Sequence, residues 1–127
     1  MGLARIAFST LLAVLFLQSG LDKVFDWQGN MDWLGGHFAK SVLAGLVPAM
    51  LATVTVVELV AGLFSGAGAI AMLFYGSRVL AVTGALVGTL ALLMLFFGQR
   101  MAKDYEGAAV LAGYFTLMLV GLYLLQL

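Results

Sequence analysis

Glu58 is one of only two charged side chains in residues 42–98, a run of 57 positions; the other is Arg78. A water-soluble core cannot absorb a stretch that long without a solvated face, whereas a bilayer can. An ionisable group within such a run is a functional-site candidate by default. Ionised and unpaired in hydrocarbon it would be costly, so Glu58 is expected to be neutral, hydrogen-bonded or turned toward a polar cavity. Thr55 lies three residues before it and Gly62 four after, spacings that put all three on one helix face; Ser65 and Gly66 extend that face. Such a face suits a proton site, a cation site or a hydrogen bond to a quinone oxygen. The competing reading is a carboxyl that only bridges two helices.

A second polar group precedes it. Gln18, Asp22 and Asp26 follow one another at spacings of four, and Lys23 is within helical reach of Asp26 or Ser19. This cluster reads either as the mouth of a site whose floor is Glu58, or as a helix end with local ion pairs and a snorkelling lysine. Arg78, Arg100 and Lys103 read as interfacial anchors or contacts to lipid phosphates. Trp27 and Trp33 read as interfacial aromatics. His37 reads as a solvated loop residue. The glycine pairs Gly62/Gly66 and Gly84/Gly88 allow close helix approach. Met50, Met72, Met94, Met101 and Met118 are dispersed and read as packing filler rather than ligands.

Composition narrows the chemistry further. Of 127 residues, 64% are hydrophobic and 9% charged, with formal net charge zero and mean hydropathy +1.13. Soluble domains average about 25% charged residues, so charge is strongly depleted here. No basic face exists to hold nucleic acid. The absence of cysteine excludes disulfide scaffolds and thiolate redox or metal sites, and a single histidine cannot build a zinc or haem centre alone. A bound metal or covalent cofactor is therefore not expected.

Positioning these residues takes four membrane helices. A span needs about 20 apolar residues, and the expected helices are 4–25, 46–74, 78–98 and 107–125, in one membrane domain. The first reads as a span rather than a cleaved leader, because Leu17-Gln18-Ser19-Gly20 is a poor cleavage site and the apolar segment runs on to Phe25. Residues 26–45 form an interfacial loop, and Pro48 sits near the start of the next helix, where a missing N–H is cheap. The long run has two candidate breaks, residues 65–68 and residues 75–78. The second is preferred because it spares a central arginine, which costs about 2.5–3.5 kcal/mol on the lenient insertion scale. Helix two is then tilted or bent near Gly66, with Glu58 about 18 Å along its axis. A polar loop, 99–106, precedes the last helix. The fold class is all-α, an integral membrane four-helix bundle with both termini on one side. Lysine and arginine number two on that side and four on the other, which leans toward cytoplasmic loops, partly offset by the free amino terminus. A cell (inner) membrane location is expected.

Arg5, Ser19-Gly20 and Lys23 closing the first helix, Glu58 and Gly62 in the second, and Ser77-Arg78 opening the third together resemble the DoxX family of small four-helix membrane proteins. So does the stretch from Gln99 to Asp104 followed by a glycine-punctuated apolar helix. The resemblance spans essentially the whole chain. It implies association with membrane redox complexes, the family name coming from a subunit of a thiosulfate:quinone oxidoreductase. The arginine turn lies farther from the glutamate here than in the family pattern, so Gly20, Lys23 and Glu58 carry the resemblance better than Arg78.

Three functions follow as expectations. The first is an accessory subunit of a quinone-linked membrane oxidoreductase or respiratory complex, with quinone the one candidate cofactor. The second is a small proton-coupled transporter or channel with Glu58 as titrating site. The third is a structural or assembly role. No nucleotide fingerprint or nucleophile–base pair is present, so independent catalysis is the weakest reading. The expected partners are the lipid bilayer and either other membrane subunits or further copies of the chain.

Overall fold

A computed structural model describes residues 2–127. Among the described residues five α-helices follow in order: α1 (Gly2–Phe25), α2 (Trp27–His37), α3 (Val47–Tyr75), α4 (Val79–Met101) and α5 (Tyr105–Gln126), with a 3-10 turn (Ala44–Leu46) before α3. There is no strand among the described residues. Four of the helices are long and apolar enough to cross a membrane, with mean hydropathies of 1.6, 2.0, 2.4 and 2.1. The protein is thus an all-α bundle whose long helices have the dimensions of bilayer spans. The outward faces are consistent with such spans. Leu63, Ile70, Leu73 and Val110 are each at least 58% exposed, an apolar surface that water would not tolerate and lipid would.

The long apolar run breaks at Gly76-Ser77-Arg78, while residues 65–68 stay helical. Gly76 explains the position. It takes the left-handed conformation (φ 68°) and its N–H donates to Met72 O at 3.2 Å, closing the last turn of α3; a side chain would strain that cap. α3 is one continuous helix of 29 residues, about 43 Å at about 1.5 Å per residue. It exceeds a hydrocarbon core of about 30 Å, long enough to span with some tilt.

Two boundaries differ from the sequence reading. The 99–106 loop shrinks to residues 102–104, because α4 continues through Met101 and α5 starts at Tyr105. Asp104 caps the start of α5, its Oδ1 accepting from Gly107 N at 3.0 Å, which satisfies one of the free N–H groups of the first turn. The 26–45 loop contains an eleven-residue helix, α2. It packs on α1 and α3 and is pinned at its end by Phe38, which is buried against Gly98 of α4.

The bundle closes in the order α1–α3–α4–α5, with α1 returning to α5. Phe8 of α1 packs against Gly121 of α5, and Phe16 against Gly88 of α4. The core is built from these aromatics together with Ala61, Ala81, Ala85 and Ala91. Small residues let backbones approach closely, the usual source of helix association where lipid removes the hydrophobic drive. Gly62 is one case: a Cβ there would lie 2.7 Å from Leu17 Cγ and 2.8 Å from Leu17 N.

Candidate functional site

Glu58 is buried (1% exposed) on the inward face of α3, in the same stripe as Leu51, Thr55, Ala61, Gly62 and Ser65. Its partner comes from α1. Lys23 Nζ lies 2.9 Å from Glu58 Oε1, and the lysine side chain is 16% exposed. Lys23 Nζ also donates to Ser19 Oγ at 2.8 Å. Glu58 Oε1 accepts no aligned hydrogen bond among the described residues. The contact is therefore a charge pair, with the ammonium beside the oxygen but off its best donor direction. At this distance in a low-dielectric interior, opposite charges compensate much of each other's desolvation.

The helix register makes the pair possible. The inner stripe of α1 runs through Ser9, Leu12, Ala13, Phe16 and Gly20, a 3.6-residue periodicity that arrives next at Lys23. α1 also approaches α3 closely at Gly20, where a Cβ would sit 2.7 Å from the Leu59 side chain. Gln18 and Asp22 fall off the stripe and are exposed. The proposed polar mouth therefore divides. Lys23 turns inward to Glu58, while Gln18 and Asp22 take no part in the pair. Lys23 meets Ser19 and Glu58, with Asp26 exposed at the helix end.

Thr55 is buried (5% exposed) on the stripe of Glu58, but its hydroxyl donates to Leu51 O at 2.6 Å within its own helix. One turn beyond Gly62, Ser9 Oγ donates to Ser65 O at 2.6 Å, a second polar bridge between α1 and α3. Neither serine was singled out as half of such a bridge by spacing, since the two lie on different helices.

A cavity of about 220 Å³ opens beside the pair. Lys23 lines it; Glu58 sits behind the lysine. Its walls are mainly apolar, from Met50, Leu51 and Val54 of α3 and Met94 and Leu95 of α4. Trp33, Leu34 and Phe38 cover it from α2 and the turn that follows, and Asn30 and Gln99 add polar edges. Met50, Val54, Met94 and Gly98 are shared with a second cavity of about 320 Å³, a groove between α3 and α4 that also touches Leu46, Thr53 and Phe97. Met50 and Met94, read from sequence as filler, are thus walls of both. Polarizable, unbranched side chains suit a wall that adapts to its occupant.

His37 is not the solvated loop residue that sequence suggested. Its Nε2 lies 2.7 Å from Gln99 Oε1 and 3.6 Å from Asp104 Oδ2, and its ring stacks on Trp33 with centroids 4.5 Å apart. Through these contacts the α2 cover is tied to the α4–α5 turn. The other predicted anchors divide. Arg100 lies over the Tyr105 ring, 4.7 Å from its centroid. Lys103 holds a positive φ of 61° in the α4–α5 turn. Trp27 is 37% exposed at the start of α2. Arg78 Nη1 donates to Leu125 O at 2.9 Å.

What this arrangement offers chemically is one ammonium at the inner end of an apolar slot. Lys23 donates to Ser19 Oγ at 2.8 Å and to Ser19 O at 3.4 Å and directs its charge to Glu58, so an acceptor oxygen arriving from the cavity would take over the long 3.4 Å bond. No group of three or more His, Cys, Asp or Glu side chains that could hold a metal occurs among the described residues. No protein-family model, curated protein or solved structure compared with this chain matches it.

Proposed function

We propose that the cavity beside Lys23 binds the head group of a membrane quinone, and that the chain serves as a non-catalytic subunit of a quinone-linked oxidoreductase in the cell membrane. The observation that carries this reading is the placement of Lys23. Its ammonium is the charged donor at the inner end of a cavity with otherwise mainly apolar walls, and that cavity joins a groove along α3 and α4. A quinone has the matching pattern: a carbonyl oxygen to accept from Lys23, a flat ring to lie between Met50, Met94 and Trp33, and an isoprenoid tail to follow the groove. Pockets of this type take orientation from a few polar groups and affinity from apolar walls.

The DoxX resemblance supports the same reading. Of the residues that carry it, Ser19, Gly20, Lys23, Glu58 and Gly62 gather at one seam between α1 and α3, whereas Arg5 and Arg78 meet at the far end of the bundle. With no cysteine and one histidine in the sequence, electrons would pass through a partner subunit, and this chain would position the quinone beside it. The proton-coupled transporter remains the second reading, favoured by the burial of an ionisable pair within the spans.

Trp33 supplies the test. It borders the cavity, and Trp27 is the only other tryptophan. In a Trp27→Phe protein reconstituted in lipid nanodiscs, decylubiquinone should quench Trp33 fluorescence saturably. A Lys23→Met/Glu58→Leu variant in that background, which leaves no buried charge unpaired, should weaken the apparent affinity about tenfold, the loss of roughly one charge-assisted hydrogen bond. Non-saturable quenching, or an affinity indifferent to Lys23, would overturn the quinone site. For the subunit role, deleting the protein should lower quinone-dependent respiration and shift the size of a native membrane complex; an unchanged pattern of both would defeat it.

A further inference from the structure

The end of the bundle that carries the termini is built unlike the loop end. Arg5 Nε donates to Leu124 O at 3.0 Å and Arg78 Nη1 donates to Leu125 O at 2.9 Å. Two arginines from different helices thus hold consecutive carbonyls in the last turn of α5, where carbonyls lack helical partners. Both side chains are partly buried, and both border a cavity of about 250 Å³ that Gly2, Ile6, Met72 and Gly76 complete.

The guanidinium groups are fixed but not used up. Each has five N–H donors and spends one on a carbonyl. Neither is in an ion pair among the described residues. The charge distribution makes this end exclusively cationic in its side chains. Asp22, Asp26, Asp32, Asp104 and Glu106 all lie toward the loop end by helix direction, and Glu58 is inside the bundle. The carbonyl end of α5 contributes only about half a negative charge, which leaves an excess of positive charge around the cavity.

We propose that Arg5 and Arg78 form a binding site for the phosphate of an anionic phospholipid. The recognised chemistry is a phosphate ester, for which guanidinium donors are the preferred protein partner. The lipid source is favoured by location. Both arginines stand at the ends of membrane-length helices, where headgroup phosphates lie. An anionic headgroup suits the two guanidinium charges, neither of which is in an ion pair among the described residues. This site is independent of the cavity beside Lys23, which lies at the other end of α1.

Native mass spectrometry of the protein released from nanodiscs of mixed phosphatidylglycerol and phosphatidylcholine reads the preference directly. The wild type should retain phosphatidylglycerol in preference to phosphatidylcholine. An Arg5→Gln/Arg78→Gln double variant should lose that preference, but it also uncaps α5. Gly2→Glu and Gly2→Gln avoid this problem, since a Cβ on Gly2 meets nothing within 4 Å. The two differ only in charge. Gly2→Glu should lower phosphatidylglycerol retention about tenfold, and Gly2→Gln should retain it as the wild type does. Equal retention in the two Gly2 variants, or no lipid preference in the wild type, would overturn the site. Displacement of phosphatidylglycerol by inorganic phosphate at equal concentration would overturn the lipid assignment in favour of a free phosphate site.

Discussion

Lys23 and Glu58 neutralise each other across the seam between α1 and α3, with Nζ 2.9 Å from Oε1 and the carboxylate side chain only 1% exposed. A buried pair of this kind is costly to break from one side, because the remaining group is left desolvated without its counter-charge. Replacing both members is a different matter, since the desolvation cost disappears along with the attraction. Lys23→Met or Glu58→Leu alone should destabilise the bundle by about 3–5 kcal/mol, and the double variant by much less than the sum. Unfolding in mixed detergent, arranged as a double-mutant cycle, measures this. Simple additivity would show that the two side chains do not couple.

Glu58→Gln separates the two functional readings. Glutamine keeps the shape of the side chain and an amide oxygen for Lys23, which stays held by Ser19, so the bundle should fold and insert with a smaller loss than Glu58→Leu causes. Quinone quenching of Trp33 should persist, because Lys23 and not Glu58 faces the cavity. If the protein instead exchanges protons against a substrate, the same variant should lose transport in proteoliposomes completely. Lost quenching together with retained folding would count against the quinone site as drawn.

Two glycines four residues apart in α3 should respond oppositely to alanine. At Gly62 a methyl group would collide with Leu17, including its backbone nitrogen at 2.8 Å, whereas at Gly66 the nearest atom is Ala13 Cβ at 3.6 Å. Gly62→Ala should therefore cost about 1–3 kcal/mol through overpacking. Gly66→Ala should be neutral or stabilising by up to about 1 kcal/mol through helix propensity. Thermal denaturation in detergent gives both values, and equal effects would contradict the close approach at Leu17.

His37→Ala should loosen the cover without disturbing the spans. It removes the 2.7 Å contact to Gln99 and the stacking on Trp33, a loss of about 0.5–1.5 kcal/mol for the hydrogen bond alone. Amide hydrogen exchange across residues 27–37 should accelerate, with α3 and α4 unchanged. Exchange unaltered in α2 would show that Phe38 alone secures it.

The architecture was open to sequence reasoning where one residue decides locally. Apolar length and depleted charge specify four spans, and Gly76 ends α3 by a rule that needs no tertiary information. Glu58 was equally plain, as a lone carboxyl in a long apolar run. Its partner was not. Helical spacing identifies neighbours within one helix, so it offered Lys23 only Ser19 and Asp26. The contact to Glu58 depends on how far α1 and α3 approach at Gly20 and Gly62, which is a property of packing. The same reason hid the link from His37 to Gln99. The α2 helix escaped notice for another cause: Gly29, Gly35 and Gly36 depress helix propensity over a short polar segment, and docking on α1 and α3 outweighs that preference.

Chain order gives the pair at the α1–α3 seam a role in biogenesis. Lys23 is synthesised before Glu58, so the ammonium has entered the membrane with α1 by the time the carboxyl must leave the insertion machinery. Helix α3 carries a residue that hydrocarbon rejects, yet its counter-charge is already waiting in the neighbouring span. A chain lacking α1 should therefore insert α3 less efficiently, because Glu58 would reach the lipid without its counter-charge.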